Sequence, residues 1–233
     1  MNGLQEKLYS TFIQDDRYVF FISGLKNTLV ITVFAALLGI LIGFLIAVIR
    51  TTHDRQDEHK NFFINILDII ARVYLTVIRG TPTTVQLLIM YYIIMSGSTN
   101  KIMIAIMTFG INSGAYVAEI VRSGIQSIDK GQFEAGRSLG FSYSQTMWYI
   151  IFPQAFKNVL PALANEFITL LKETSISGYI ALNDLTRAGD IIRSLTYETF
   201  FPLLTVAAIY LIMVLILTWL VDKLERRMHV GDR

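Results

Sequence analysis

Residues 130–153 read KGQFEAGRSLGFSYSQTMWYIIFP, a polar stretch rich in small residues between long apolar runs. A chain built of apolar runs offers a water-borne partner only what protrudes between them. Asp129 with Gln132 makes a capping-box pattern that opens a short helix, and Gly140 suits the left-handed residue that ends one. Ser142 with Gln145 is a second capping-box pattern, opening SQTMWYIIF, and Pro153 is expected to interrupt that run. The reading is helix, turn, helix: an elbow stiff enough to carry a push. Ala135, Gly136 and Gly140 have almost no side chain, so a partner groove could approach the backbone there. Glu134 lies near the helix start, where the macrodipole favours an acid.

The 233 residues are 53% hydrophobic and 16% charged, against about 25% charged in soluble domains. Four or five segments approach or exceed the ~18 mostly apolar residues of a membrane span. The expectation is a single-domain, all-α integral membrane protein with five transmembrane helices. An N-terminal segment covers 1–20, the transmembrane domain 21–222 and a tail 223–233. A net charge of +2, with no basic stripe interleaved with aromatics, argues against nucleic acid. Without cysteine there is no disulfide and no thiolate ligand. His53, His59 and His229 fall outside the spans and read as solvated, so no metal site and no catalytic residue is expected. The first 18 residues lack a basic start, an apolar block and a cleavage site, so the first span is expected to serve as the insertion signal.

The first span is expected over about 21–49, followed by the charge run RTTHDRQDEHK at 50–60, read as a solvated turn. Residues 61–95 contain Asp68, Arg72 and the sequence RGTP at 79–82. Gly and Pro so close together break a helix, and a break at membrane depth must face protein or a water-filled cavity. A plain helix start with Pro82 in its first turn accounts for the same residues. The third span covers about 102–120, with a small-polar patch of Gly110, Asn112, Ser113, Gly114 and Ala115 suited to close packing. The elbow sits in a loop over 122–158, the fourth span covers 160–182, a loop covers 183–199 and the fifth span covers 201–221. Arg50, Arg55, Lys60, Arg122, Lys130, Arg137, Lys157, Lys223, Arg226, Arg227 and Arg233 lie on one side, eleven basic residues. The other side holds five: Lys7, Arg17, Lys101, Arg187 and Arg193. That asymmetry puts the elbow and the C-terminus in the cytoplasm and the N-terminus outside.

The elbow resembles the coupling loop of ATP-binding-cassette import permeases, whose pattern is Glu-Ala-Ala, three residues, Gly, nine residues, Ile-x-Leu-Pro. Glu134, Ala135, Gly136, Gly140, Ile150, Phe152 and Pro153 fall on that spacing, with Gly136 in place of the third small residue and Phe152 in place of Leu. RGTPTTVQL at 79–87, GAYVAEIVRSGIQSIDKGQFEAG at 114–136 and LLKETSISGYIALNDLTRAG at 170–189 resemble the polar amino acid branch of that family. The likeness covers at least residues 20–222. It implies a type I ABC importer permease fold in the bacterial cytoplasmic membrane. It also implies a second permease subunit, identical or paralogous, two ATPases that bind ATP and Mg and grip the loops, and an extracellular or periplasmic amino-acid-binding protein. The residues it assigns to ATPase coupling are Glu134, Ala135, Gly136, Arg137, Gly140 and Pro153. No cofactor is implied in this chain. A capped surface helix without a partner would leave the spacing from Glu134 to Pro153 unexplained.

Ionisable or polar residues inside a span are costly and mark a pathway. The candidates are Arg79, Gln86, Asn112, Glu119, Glu166 and Lys172. A zwitterionic amino acid needs an anion for its ammonium and a cation for its carboxylate, and Glu166 with Arg79 could supply them. Glu119 could instead pair with Arg122 one turn on, and Lys172 with Glu173 could lie near an interface. A stand-alone carrier or channel for small polar solutes is the alternative, and it leaves the elbow motif without a purpose. A membrane-embedded enzyme would need a cluster of His, Asp or Ser at the membrane surface.

Overall fold

The run of apolar side chains after Tyr18 carries no proline before the charges at its end, and it forms one continuous helix. A computed structural model describes residues 3–54 and 62–229. A short helix, α1, covers Gly3–Leu8, and α2 covers Tyr18–Asp54. The others are α3 Phe62–Gly80, α4 Thr83–Ile89, α5 Lys101–Gln126, α6 Lys130–Ser138, α7 Tyr143–Thr146, α8 Phe152–Glu173, α9 Leu185–Thr196 and α10 Phe200–His229. Three helices carry apolar windows long enough to cross a membrane, Tyr18–Asp54, Lys101–Gln126 and Phe200–Met228; Thr83–Ile94 is a shorter apolar helix. The elements are all helical among the described residues, as the composition required.

Several boundaries differ from expectation. Residues 50–54 are not a solvated turn: they continue α2, and Arg50 and His53 face Asp68. The rest of that charge run, and residues 230–233 of the tail, lie outside the described residues. RGTP does break the chain, and Pro82 sits just ahead of α4 in extended conformation rather than within its first turn. The fourth expected span ends early, at Glu173, where the helix tightens to a 3₁₀ segment over Thr174–Ile180 and Ala181 turns left-handed. The expected loop 183–199 contains α9, whose buried Leu185, Ala188, Gly189 and Ile192 recur at helical spacing.

The chain packs as two compact units. The first comprises Met1–Leu38, Thr81–Gly110 and Phe167–Trp219. Its core gathers Ile31, Leu87, Ile104, Phe109, Leu170 and Ile180, with a second cluster of Phe21, Leu185, Ala188, Ile192 and Val206. A polar latch joins α2 to the start of α9. Asn27 Nδ2 donates to the Asn183 carbonyl at 2.8 Å, Asn183 Nδ2 donates to Ser23 Oγ at 2.9 Å, and the Leu185 amide donates to Thr28 Oγ1 at 3.1 Å. The first and third of these bonds satisfy backbone that would otherwise be orphaned where regular structure stops.

The second unit comprises Gly39–Gly80, Ile111–Glu166 and Leu220–Arg233. Its core is Ala47, Val117, Val121, Ile125, Ile128, Ile151, Ala155 and Val159. Here α2 meets α5 at contact distance. A Cβ on Gly43 would stand 2.5 Å from Val117 Cβ, and one on Gly114 would stand 2.9 Å from Ile42 Cγ2. The small-polar patch of α5 is therefore a packing surface, with Asn112, Ser113 and Ala115 buried in it.

Asp184 caps α9: its carboxylate accepts the amides of Thr186 at 3.0 Å and Arg187 at 3.2 Å. It lies between the fourth and fifth spans and is fully buried. Burial pushes its carboxyl from 3.8 up to about 6, and the backbone amides only partly offset this. The folded state thus holds the proton longer than the unfolded chain does, and stability falls as pH rises from 3.8 through about 6. Asp184→Asn should flatten that slope in thermal melts, whereas Asp184→Ala should lower stability by about 1 kcal/mol through loss of the cap.

Candidate functional site

The elbow is built from caps. Asp129 Oδ1 accepts the Gly131 amide at 2.7 Å and opens α6. The expected box is replaced by a simple cap: Asp129 takes the amide of Gly131 rather than that of Gln132, and the Gln132 side chain accepts from Gln154 Nε2 at 3.4 Å. Gly140 ends α6 at φ +77°, with its amide on the Arg137 carbonyl (2.9 Å) and the Phe141 amide on the Gly136 carbonyl (3.0 Å). That pair of bonds is the Schellman closure, and its left-handed residue favours glycine. Ser142 and Gln145 form the complete capping box that opens α7.

Two parts of the elbow depart from expectation. Gly136 does not face outward. It is buried, and a Cβ there would stand 2.6 Å from Thr146 Cγ2, so its smallness seats α6 on α7. Pro153 does not interrupt the helix. A π-helical turn over Met147–Ile151 precedes it, and the Phe152 amide reaches back to the Met147 carbonyl. The wider turn accommodates a residue that lacks an amide and crowds the preceding turn. Glu134, Ala135 and Arg137 are exposed, as are Leu139 and Phe141 on either side of Gly140. Leu139 and Phe141 went unread in the sequence, although a turn flanked by two bulky apolar residues is an interaction signal.

The second unit also holds a chain of charges. The Asp68 carboxylate is 2% exposed and meets Arg72 Nε at 2.6 Å, Arg50 Nε at 3.6 Å and His53 Nδ1 at 3.6 Å. Arg122, on the last turns of α5, joins Glu119 at 2.9 Å and Asp54 at 3.7 Å. The expected Glu119–Arg122 pair is present within α5, and the Arg122–Asp54 contact ties α5 to the end of α2.

Three of the expected pathway residues share one open cleft of about 540 Å³ in the second unit: Arg79, Glu119 and Glu166. Tyr116, Ser123, Ser127 and Asn158 complete its polar lining. The Arg79 guanidinium lies 5.6 Å from the centre of the Tyr116 ring and only 3.9 Å from Glu119, a loose hold that leaves the side chain 44% exposed. Ser113 Oγ donates to Glu166 Oε1 at 2.8 Å, which fixes the carboxylate. Arg79 and Glu166 both line the cleft and present opposite charges to one space. Asn112 is 1% exposed and does not line the cleft. Gln86 and Lys172 belong to the first unit, where Gln86 donates to Thr81 and Lys172 is exposed. Among the described residues no group of three His, Cys, Asp or Glu is placed to hold a metal ion.

The family pattern "Binding-protein-dependent transport system inner membrane component" matches residues 39–230. The putative glutamine transport system permease protein GlnP of Rickettsia typhi is 38% identical over 218 residues, 92% of this chain and 95% of that protein. The arginine transport system permease protein ArtQ of Bacillus subtilis is 38% identical over 216 residues, 91% and 94% of the two chains. The crystal structure of an amino acid ABC transporter with histidines superposes with a TM-score of 0.83 at 42% identity, covering 97% of this chain and 99% of that one. The methionine transporter MetNI in an inward-facing form gives 0.78 at 20% identity, over 93% and 99%, and shares the fold.

Removing one member of a buried ion cluster strands its partners and costs about 3–5 kcal/mol. Asp68→Ala should therefore lower the melting temperature of the detergent-solubilised chain sharply, because the half-buried Arg50 loses its counter-charge. Arg72→Ala, at a side chain 53% exposed, should cost about 1 kcal/mol or less.

Proposed function

Because this chain belongs to the family of binding-protein-dependent transport system inner membrane components, we propose that it conducts polar amino acids and is driven through the elbow at 134–153. It is the permease subunit of an ABC importer and not an enzyme; ATP is hydrolysed by a separate subunit. Its fold is that of the type I ABC importer permeases. Its implied partners are an ATPase and a substrate-binding protein. The substrate class rests on relatives named for glutamine and arginine and on a 42%-identical structure of an amino acid transporter. The observation that carries the reading is the cleft, which offers a cation at Arg79 and an anion at Glu166.

In the mechanism, a second permease, identical or paralogous, completes the pore. Each elbow, on the cytoplasmic side, seats in one ATPase, which binds ATP and Mg; this chain holds no cofactor. The C-terminus lies in the cytoplasm and the N-terminus outside. Glu134, Ala135, Arg137 and Gly140 face the ATPase, while Gly136 and Pro153 shape the elbow from within. Closure of the ATPases draws the elbows together. α6 follows directly on α5, and α5 carries Glu119 of the cleft. Movement of α6 is thereby passed to the groups that meet substrate, and Glu166 receives the ammonium while Arg79 receives the carboxylate.

Vesicles containing the chain with its ATPase and binding protein test this by uptake of labelled glutamine, arginine and histidine. Arg79→Ala and Glu166→Gln should each reduce uptake about 10- to 100-fold, the worth of a charged hydrogen bond, with ATPase binding intact. Glu134→Lys and Gly140→Leu should insert normally yet lose substrate-stimulated ATP hydrolysis. Uptake by the chain alone would establish a stand-alone carrier and reject the coupling role.

A further inference from the structure

Beside the elbow, two apolar hollows of about 270 and 160 Å³ share the walls Phe44, Val121, Ile125 and Phe152 and so form one groove in the second unit. Its walls on α2 run from Ile40 to Thr52. Twelve helical steps of ~1.5 Å make about 18 Å, close to one leaflet of a hydrocarbon core roughly 30 Å thick. The inner hollow is lined only by apolar side chains. Hydroxyl groups gather at the other end alone, on Thr51, Thr52, Tyr143 and Ser144. One wall is an aromatic ladder, with Trp148 stacked on Phe152 at 5.5 Å and Phe152 on Phe156 at 6.4 Å. Along the open edge Ile40, Phe44, Val48, Trp148 and Phe156 are exposed, so the groove is continuous with the apolar surface that a membrane protein turns toward lipid.

We propose that this groove holds one acyl chain of a membrane phospholipid, with the headgroup region at Thr51, Thr52 and Ser144. Three features select that occupant: its length is one leaflet, its polarity runs from hydroxylated mouth to wholly apolar end, and it opens on the lipid-facing surface. A helix of a second copy, about 10 Å across with its side chains, is too wide for hollows of this size. Water has no polar partners along the inner part, and an apolar space without an apolar filler forgoes its dispersion contacts. The lipid would pack against the π-helical turn that leads out of the elbow. The assignment stands on membrane location and does not require the coupling role.

The chain has two tryptophans, so Trp219→Phe leaves Trp148 as the sole tryptophan, excited selectively at the red edge where tyrosine does not absorb. The variant is reconstituted in phosphatidylcholine brominated at mid-chain and then washed in mild detergent with unbrominated lipid. A lodged chain keeps Trp148 emission at least twofold quenched through the wash, and organic extraction recovers bromolipid with the protein. Adding Ile125→Phe, which fills the groove, should relieve that quenching while gel filtration is unchanged. Two outcomes overturn the proposal. In one, quenching vanishes in the first wash, as for bulk lipid. In the other, Trp148 is never quenched in the bilayer, because another protein surface covers it.

Discussion

Helices in a bilayer gain nothing from leaving lipid for one another, so what holds them together is the closeness of their approach. In the second unit that approach is set where α2 meets α5, at Gly43 against Val117 and Gly114 against Ile42. The functional groups of this unit depend on it. Ser113, next to Gly114, reaches Glu166, and Arg122, two turns further along α5, reaches Asp54. A bulkier residue at either glycine would separate the helices and loosen the substrate-facing carboxylate together with the ion pairs of the same unit.

Much of the elbow was legible because its signals are local. Gly140 takes the left-handed conformation and Ser142 and Gln145 close their box; outside the elbow, Glu119 pairs with Arg122 three residues on for the same reason. The inward face of Gly136 was not legible, since its cause is Thr146 across a turn whose geometry depends on both caps. Pro153 misled for a related reason: a proline breaks a regular helix, but a wider turn just ahead of it removes the conflict. Asp68 looked like a puzzle in an ambiguous segment. Two of its partners, Arg50 and His53, sit on α2, beyond any local pattern. The segment 183–199 was misread from its charges, although Asp184 as a cap and Leu185, Ala188 and Ile192 at helical spacing were there to be read.

The cleft draws on longer-range order than the elbow, and the sequence listed its residues without sorting them. Arg79, Glu119 and Glu166 converge from three helices, while Asn112, equally polar, is spent in packing. Residue type alone does not separate these fates. What separates them is which side of a helix faces the crowded seam and which faces open space.

The π-helical turn at Met147–Ile151 alters how the spacing of the elbow should be measured. Such a turn accommodates one residue more than an α-helical turn and shifts the phase of everything after it by about 100°. The interval between Gly140 and Pro153 is therefore a rotational setting as well as a length. It aims Ile151 and Ala155 into the core while Trp148 and Phe156 look outward. A relative lacking that extra residue would keep the same letters on both sides and yet point them at different neighbours.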